Sequence, residues 1–208
     1  MDLKKLNELA YKHLGDRKAH YEREKGFIYY HGQRVAKIAI SLREILLPHN
    51  DSKDQVMIVG SYFHDIAKGI EPHGQYGAVL AKEILKDYCE PAELEDITEI
   101  IRYHQLREKE NNYPDYIKIV QDADILDHVG IIEVWMNFQY YSYMDAPIIE
   151  SVDYYKNEFP NHAKKIKDML NYDVSQRIYD EKISFVQSFS DRMSIEALGG
   201  IYNIEEVK

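Results

Sequence analysis

An all-α fold is predicted by three features of this 208-residue chain: Pro and Gly are few (six and ten), clusters of turn residues are sparse, and apolar residues recur at intervals of three and four over long stretches. The length suits one domain with a substantial core, spanning residues 1–208, in which 145–208 form a C-terminal helical extension packed on the rest.

Taken in order, Leu3, Leu6, Leu9 and Leu14, followed by Gly15, predict a short first helix over 3–14. After the charged stretch Asp16–Lys25, a helix is expected over 31–47, with Val35, Ile38, Ala39, Leu42 and Leu46 inward and His31 one turn earlier on the same stripe. Taken alone, His31 reads as an N-terminal-turn histidine bonded to backbone. Pro48–Asp51 is a turn. Val56, Val59, Phe63 and Ile66 then predict one helix over 53–68, with Ser52 and Asp54 as cap-like residues and Gly69 as its end. That helix is apolar on most sides, so it is expected at the centre of a bundle with His64 and Asp65 buried. A buried carboxylate demands a partner, and an adjacent imidazole makes a metal ion an economical one.

A loop through Glu71–Gly74, with His73 at its edge, leads into a helix over 74–88. Pro91 opens the next helix, whose stripe Leu94, Ile97, Ile101 turns His104 inward. Arg107–Tyr113 reads as a polar loop. From Pro114 the longest helix is expected to run to about residue 140, carrying Asp122, Asp124 and Asp127 among Ile and Val; Asp124 and Asp127 share a stripe that Asp122 leaves. Three carboxylates in six residues call for something positive against them. Helices near 149–158, 161–170 and 174–194 follow, with no catalytic constellation, and read as packing or as the mouth of a pocket.

A formal net charge of −10 argues against nucleic acid or anionic membrane as partners, while leaving room for a small anion at a local cationic site. The single cysteine, Cys89, cannot form an intramolecular disulfide, no apolar run approaches membrane-spanning length, and the first residues lack the apolar core of a signal peptide. The expected compartment is the cytoplasm. Among eighteen tyrosines, the group Tyr140, Tyr141 and Tyr143 reads as packing and amphipathic surface in preference to base stacking.

The inward polar groups His31, His64-Asp65, His104 and Asp124, each on a different predicted helix, with His73 on a helix-entry loop, fall in an order that resembles the HD-domain superfamily of metal-dependent phosphohydrolases. The resemblance implies an HD-domain helical bundle over about 27–140 with additional C-terminal helices. It implies His31, His64, Asp65 and Asp124 as metal ligands, Asp124 being chosen by Ala123-Asp124-x-Leu126, and His73 and His104 as ligands of a second metal. His31-x-x-Arg34-Val35, His64-Asp65-x-x-Lys68 and Asp122-Ala-Asp-x-Leu-Asp127 are similar to the small bacterial members, some of which cleave nucleoside triphosphates. The cyclic dinucleotide phosphodiesterase branch is disfavoured by Asn112-Tyr113-Pro114 where that branch has Gly-Tyr-Pro. The alarmone hydrolase branch is disfavoured because Ile66-Ala67-Lys68 replaces its acidic pair.

Imidazole and carboxylate ligands without thiolate suit Mn²⁺, Fe²⁺, Co²⁺, Ni²⁺, Zn²⁺ or Mg²⁺. One firm site is expected, and a second that fills weakly or only with substrate. Arg34 and Lys68 are read as phosphate-binding cations, Asp65 and Lys68 as catalytic, and Asp127 as either an orienter of a histidine ligand or a catalytic base. The expected activity is hydrolysis of a nucleotide or related phosphate compound. The alternatives are a symmetrical dinucleoside tetraphosphate hydrolase and a non-catalytic HD module holding metal and nucleotide.

Overall fold

The computed structural model describes residues 1–18, 20–108 and 111–203. Within them ten helices and no strands are found: α1 (Leu3–Leu14), α2 (Phe27–Leu46), α3 (Asp54–Phe63), α4 (His73–Leu85), α5 (Pro91–Tyr103), α6 (Asp115–Asp127), α7 (Ile131–Tyr143), α8 (Ile148–Asn157), α9 (Phe159–Lys167) and α10 (Asp173–Glu196). The all-α expectation is met. Helix α3 lies against α1, α2, α5 and α6, α4 lies along α5, and α10 packs on α6, α7, α8 and α9. Val35, Ala39, Leu42, Val59, Phe63, Ile97, Ile100, Ile101, Ile117 and Val120 meet in the core. Two residues of the expected polar loop 107–113, at positions 109 and 110, lie outside the described residues.

Four boundaries differ from expectation for identifiable reasons. Helix α2 begins a turn early because Phe27 and Ile28 are buried. Its Gly32 brings α3 close: a Cβ there would stand 2.8 Å from the Ser61 carbonyl oxygen. That contact sets His31 beside the end of α3. Helix α3 begins at Asp54 with no side-chain cap; Ser52 Oγ donates instead to Asn50, and Asp54 accepts two bonds from Arg43 at 2.8 and 2.6 Å.

The expected helix over 53–68 stops at Phe63, and 64–69 continue as turns closed by Ile66 N to Phe63 O and Lys68 N to Asp65 O. The carbonyl of Ser61 accepts from His64 Nδ1 at 2.8 Å, and the Arg17 guanidinium donates to the carbonyls of Ile66 and Lys68. Side chains thus occupy backbone acceptors that a continuing helix would use. The expected single helix over 114–140 is two, because Gly130 adopts φ 77°, ψ −132° and ends the run between α6 and α7. The 24-residue α10 is longer than either.

Asp122 departs from the sequence reading in its partners. It is fully buried and meets neutral donors: Asn171 N (2.8 Å), Asn171 Nδ2 (2.8 Å) and Tyr172 N (3.2 Å), in the turn before α10. It therefore fastens the C-terminal helices to α6. Asp122→Ala takes the side-chain acceptor from the Asn171 and Tyr172 backbone N–H groups, while Asn171 Nδ2 keeps Gln121 Oε1 at 3.1 Å, and a loss of about 2–3 kcal/mol in unfolding free energy is expected in urea titration. A loss under about 0.5 kcal/mol would show that the turn docks by apolar contact alone.

Candidate metal centre

His64 and His104 are placed by the same local device. Each is the residue just after the last of its helix, in right-handed helical conformation, and each directs Nδ1 to the carbonyl three residues back: His64 to Ser61 at 2.8 Å, His104 to Ile101 at 2.7 Å. A carbonyl only accepts, so Nδ1 carries the proton and Nε2 presents a lone pair. Carboxylates do the same for the other two rings. Asp127 Oδ2 lies 2.7 Å from His31 Nδ1, and Glu71 Oε1 lies 2.9 Å from His73 Nδ1.

All four Nε2 atoms converge on Asp65 and Asp124. His31 Nε2 and His64 Nε2 are 3.1 Å apart, and His73 Nε2 and His104 Nε2 are also 3.1 Å apart. Asp65 joins the pairs: Oδ1 is 3.3 Å from His73 Nε2 and 3.6 Å from His104 Nε2, while Oδ2 is 3.8 Å from His64 Nε2. Asp124 Oδ1 lies 3.2 Å from His31 Nε2 and 3.8 Å from His64 Nε2. Every expected ligand is buried, including His73, which is the first residue of α4 rather than part of an exposed loop edge.

This donor set fits a divalent cation. Two lone pairs facing each other at 3.1 Å repel unless a positive charge stands between them, and nitrogen donors with carboxylates are the ligands such an ion takes. Among the described residues, His31, His64 and Asp65 place ligand atoms within 4.8 Å of one another, as do Asp65, His73 and His104, and His64, His104 and Asp124. Titration behaviour reflects the same crowding. Burial opposes charge on His31, yet its bonds to Asp124 and Asp127 outweigh burial and hold its pKa up at about 9, so at neutral pH the ring keeps a proton on Nε2 and offers a lone pair there only once that proton leaves. Burial, reinforced by the neighbouring His31, pushes His64 down to about 4, so it is a neutral donor of electron pairs at neutral pH. Asp65 stays well below the usual carboxylate range despite its burial, because His64, His104, His73 and Lys68 surround it.

Around the ligands stand three cations. Lys68 Nζ is 3.4 Å from Asp65 and Arg107 donates to Asp124 Oδ2. Arg34 spans Asp127 through Nε (2.7 Å to Oδ1) and Nη2 (3.0 Å to Oδ2). The positive charge expected against the α6 carboxylates is thus present at Asp124 and Asp127 and absent at Asp122. Arg107, Glu71 and His128 were not singled out from the sequence. His128, whose Nδ1 is 3.5 Å from Asp124 Oδ1, had a usable signal, lying one turn beyond Asp124; Arg107 sits on an irregular segment with no periodicity to betray it.

Residues 28–128 match the sequence model of the family described as HD domain. No functionally curated protein matches the chain. Among solved structures, an HD-superfamily hydrolase from Bacillus thuringiensis is similar with TM-score 0.65 and 21% identity, over 93% of this chain and 95% of that one. A predicted HD superfamily hydrolase from an uncultured Thermotogales bacterium aligns with TM-score 0.63 and 18% identity, covering 93% and 92%. Bacillus subtilis YpgQ, solved in complex with ADP, aligns with TM-score 0.63 and 14% identity, covering 92% and 96%. At these identities the likeness speaks for the fold, and no helix among the described residues is long and apolar enough to cross a membrane. The ordered His and Asp set lies within the stretch, residues 28–128, that matches the HD domain, and the fold shared with those structures agrees with that match.

Proposed function

We propose that the chain is a metal-dependent phosphohydrolase acting on a nucleotide, with residues 1–208 working as one domain in the cytoplasm. The observation that carries this reading is the buried cluster of four Nε2 atoms in two pairs joined by Asp65, with Asp124 against the first pair, ringed by Arg34, Lys68 and Arg107. A divalent cation bound there supplies Lewis acidity toward water and a phosphate oxygen. His31, His64, Asp65 and Asp124 hold it, and His73 and His104 with the shared Asp65 hold a second. Lys68 and Arg107, each partly exposed and each resting on a ligand carboxylate, are the cations free to turn toward incoming phosphate. Arg34 retains about a third of its side-chain surface and offers phosphate the edge that Asp127 leaves open.

Asp127 acts as a positioning residue in this reading. Both its oxygens are engaged, one by Arg34 and the other by Arg34 and His31, so it fixes the His31 ring and has no open edge for a proton from water. Asp65 orders the two imidazole pairs around one carboxylate. The YpgQ structure with ADP supports a nucleotide as the ligand class.

The test is a panel of NTPs, dNTPs, diadenosine tetraphosphate, tripolyphosphate and p-nitrophenyl phosphate, assayed with Mn²⁺, Co²⁺ and Mg²⁺. Metal-dependent release of phosphate or pyrophosphate from a nucleotide, abolished by EDTA, is expected. Turnover of no phosphoester or phosphoanhydride with any of the three metals overturns the reading.

A further inference from the structure

A cavity of about 480 Å³ is walled by Arg23, Glu133, Asn137, Tyr140, Tyr141 and Tyr154. Helix α7 brings Glu133, Asn137, Tyr140 and Tyr141, and α8 brings Tyr154. The segment before α2 closes the third side, where Arg23 Nη1 donates to the Met136 carbonyl at 3.0 Å and Glu24 accepts from Gln139 Nε2 at 2.6 Å. Arg23 also links the cavity to the centre: its guanidinium lies 5.7 Å from the Phe27 ring, which stacks on His31 with centroids 6.0 Å apart. Two ring contacts therefore separate the cavity wall from a metal ligand.

We propose that this cavity receives the base and sugar of the substrate whose phosphates lie at the His–Asp centre. The inference rests on the nucleotide-hydrolase reading and deepens it by assigning the nucleoside half a place. Size is compatible, since pockets for small molecules run to about 300–1,000 Å³. The chemistry of the walls is that of a planar, neutral, hydrogen-bonding group. Three tyrosine rings offer faces and edges, the Asn137 amide nitrogen and the Glu133 carboxyl offer hydrogen-bonding atoms, and Glu158 offsets Arg23, so the walls gather no net positive charge for phosphate. The three cations that suit phosphate sit instead against Asp65, Asp124 and Asp127.

Two further details separate this wall from ordinary packing. Tyr140 is 44% exposed, so its ring is open to a ligand and not consumed by the core. Burial raises the Glu133 carboxyl pKa to about 7, while the Tyr155 hydroxyl donates to Oε2 at 2.9 Å. A carboxyl partly protonated at neutral pH both donates and accepts, which suits the edge of a nucleobase.

Tyr140 contributes a face to the cavity and its one ring contact is with Tyr141, so truncating it disturbs little else. The experiment compares kcat/KM, with Mn²⁺, for the four ribonucleoside triphosphates and for tripolyphosphate in wild type, Tyr140→Ala and Tyr140→Phe. In Tyr140→Ala the ratio of the best nucleotide to tripolyphosphate is expected to fall about tenfold, through KM, and to recover in Tyr140→Phe. An unchanged ratio, or wild-type turnover of tripolyphosphate with no preference for any nucleotide, overturns the proposal while leaving the phosphohydrolase reading in place. If no phosphate compound is turned over, that reading fails, and titration of wild type and Tyr140→Ala with adenosine and guanosine by NMR decides the cavity separately. Shifts at α7 and α8 residues that vanish in Tyr140→Ala support it, and no binding of either nucleoside overturns it.

Discussion

Asp65→Ala is expected to remove bound metal and turnover together, with kcat reduced by at least roughly 10³-fold, several kcal/mol of barrier. The reason is position. Asp65 is the one carboxylate within 4 Å of both imidazole pairs, Oδ1 facing His73 and His104 and Oδ2 facing His64. Without it the His73–His104 pair has no negative charge of its own, and the His31–His64 pair keeps only Asp124, one of whose oxygens is taken by Arg107. Two neutral imidazoles and a half-neutralised carboxylate hold a dication poorly against water. His64→Ala should behave similarly, since it deletes the ring that faces His31 directly. Elemental analysis after gel filtration reads the metal, and circular dichroism confirms that the fold is kept. An Asp65→Ala protein that retains a full complement of tightly bound metal would show that Asp124 and the histidines suffice.

How much of this was readable in the sequence depended on what carried the information. The first helix, α5 and the C-terminal helices followed from apolar spacing, because those helices bury one face against the bundle. The break at Gly130 was hidden by apolar residues that continue in helical phase on either side of it, so periodicity saw one helix where backbone geometry makes two. The end of α3 was hidden for a related reason. Ile66 and Ala67 keep the helical phase and are buried, but the carbonyls there are claimed by His64 and by Arg17 from nearly fifty residues away.

The same division holds at the centre. Helical phase turned His31, His64, His104 and Asp124 inward, whereas His73 was read at a loop edge, and it was the resemblance to HD domains that joined these residues with Asp65 into one expected set. Asp122 looked like a third member by composition and went elsewhere, to Asn171 and Tyr172, because it sits off the stripe that Asp124 and Asp127 share. Residues that orient the ligands were harder to see. Glu71 and Arg107 stand on irregular segments where spacing carries no orientation, and their roles appear only once the chain has closed on itself.

His73→Ala is expected to leave one ion bound and to lower kcat by on the order of 10²-fold, the loss that follows when a substrate is held in a slightly wrong place. The two halves of the centre differ in charge. His31 and His64 face Asp124 as well as Asp65, and His128 Nδ1 donates to the Asp124 carbonyl at 2.9 Å beside that carboxylate. His73 and His104 share only Asp65, while the Glu71 carboxylate touches the far nitrogen of His73 from an exposed position and orients the ring without reaching the centre. Two carboxylates nearly neutralise a dication in the first half, whereas the second half must borrow one of them. The second ion should therefore bind weakly, and more tightly when substrate phosphate adds its own charge. Metal stoichiometry in His73→Ala should read one equivalent, with affinity for that ion within about threefold of wild type. Glu71→Gln should weaken only the second ion, by about tenfold, through the ring it steadies. A His73→Ala protein emptied of both ions would mean that Asp65 is held in place by His73 itself and that the two metals enter as a unit.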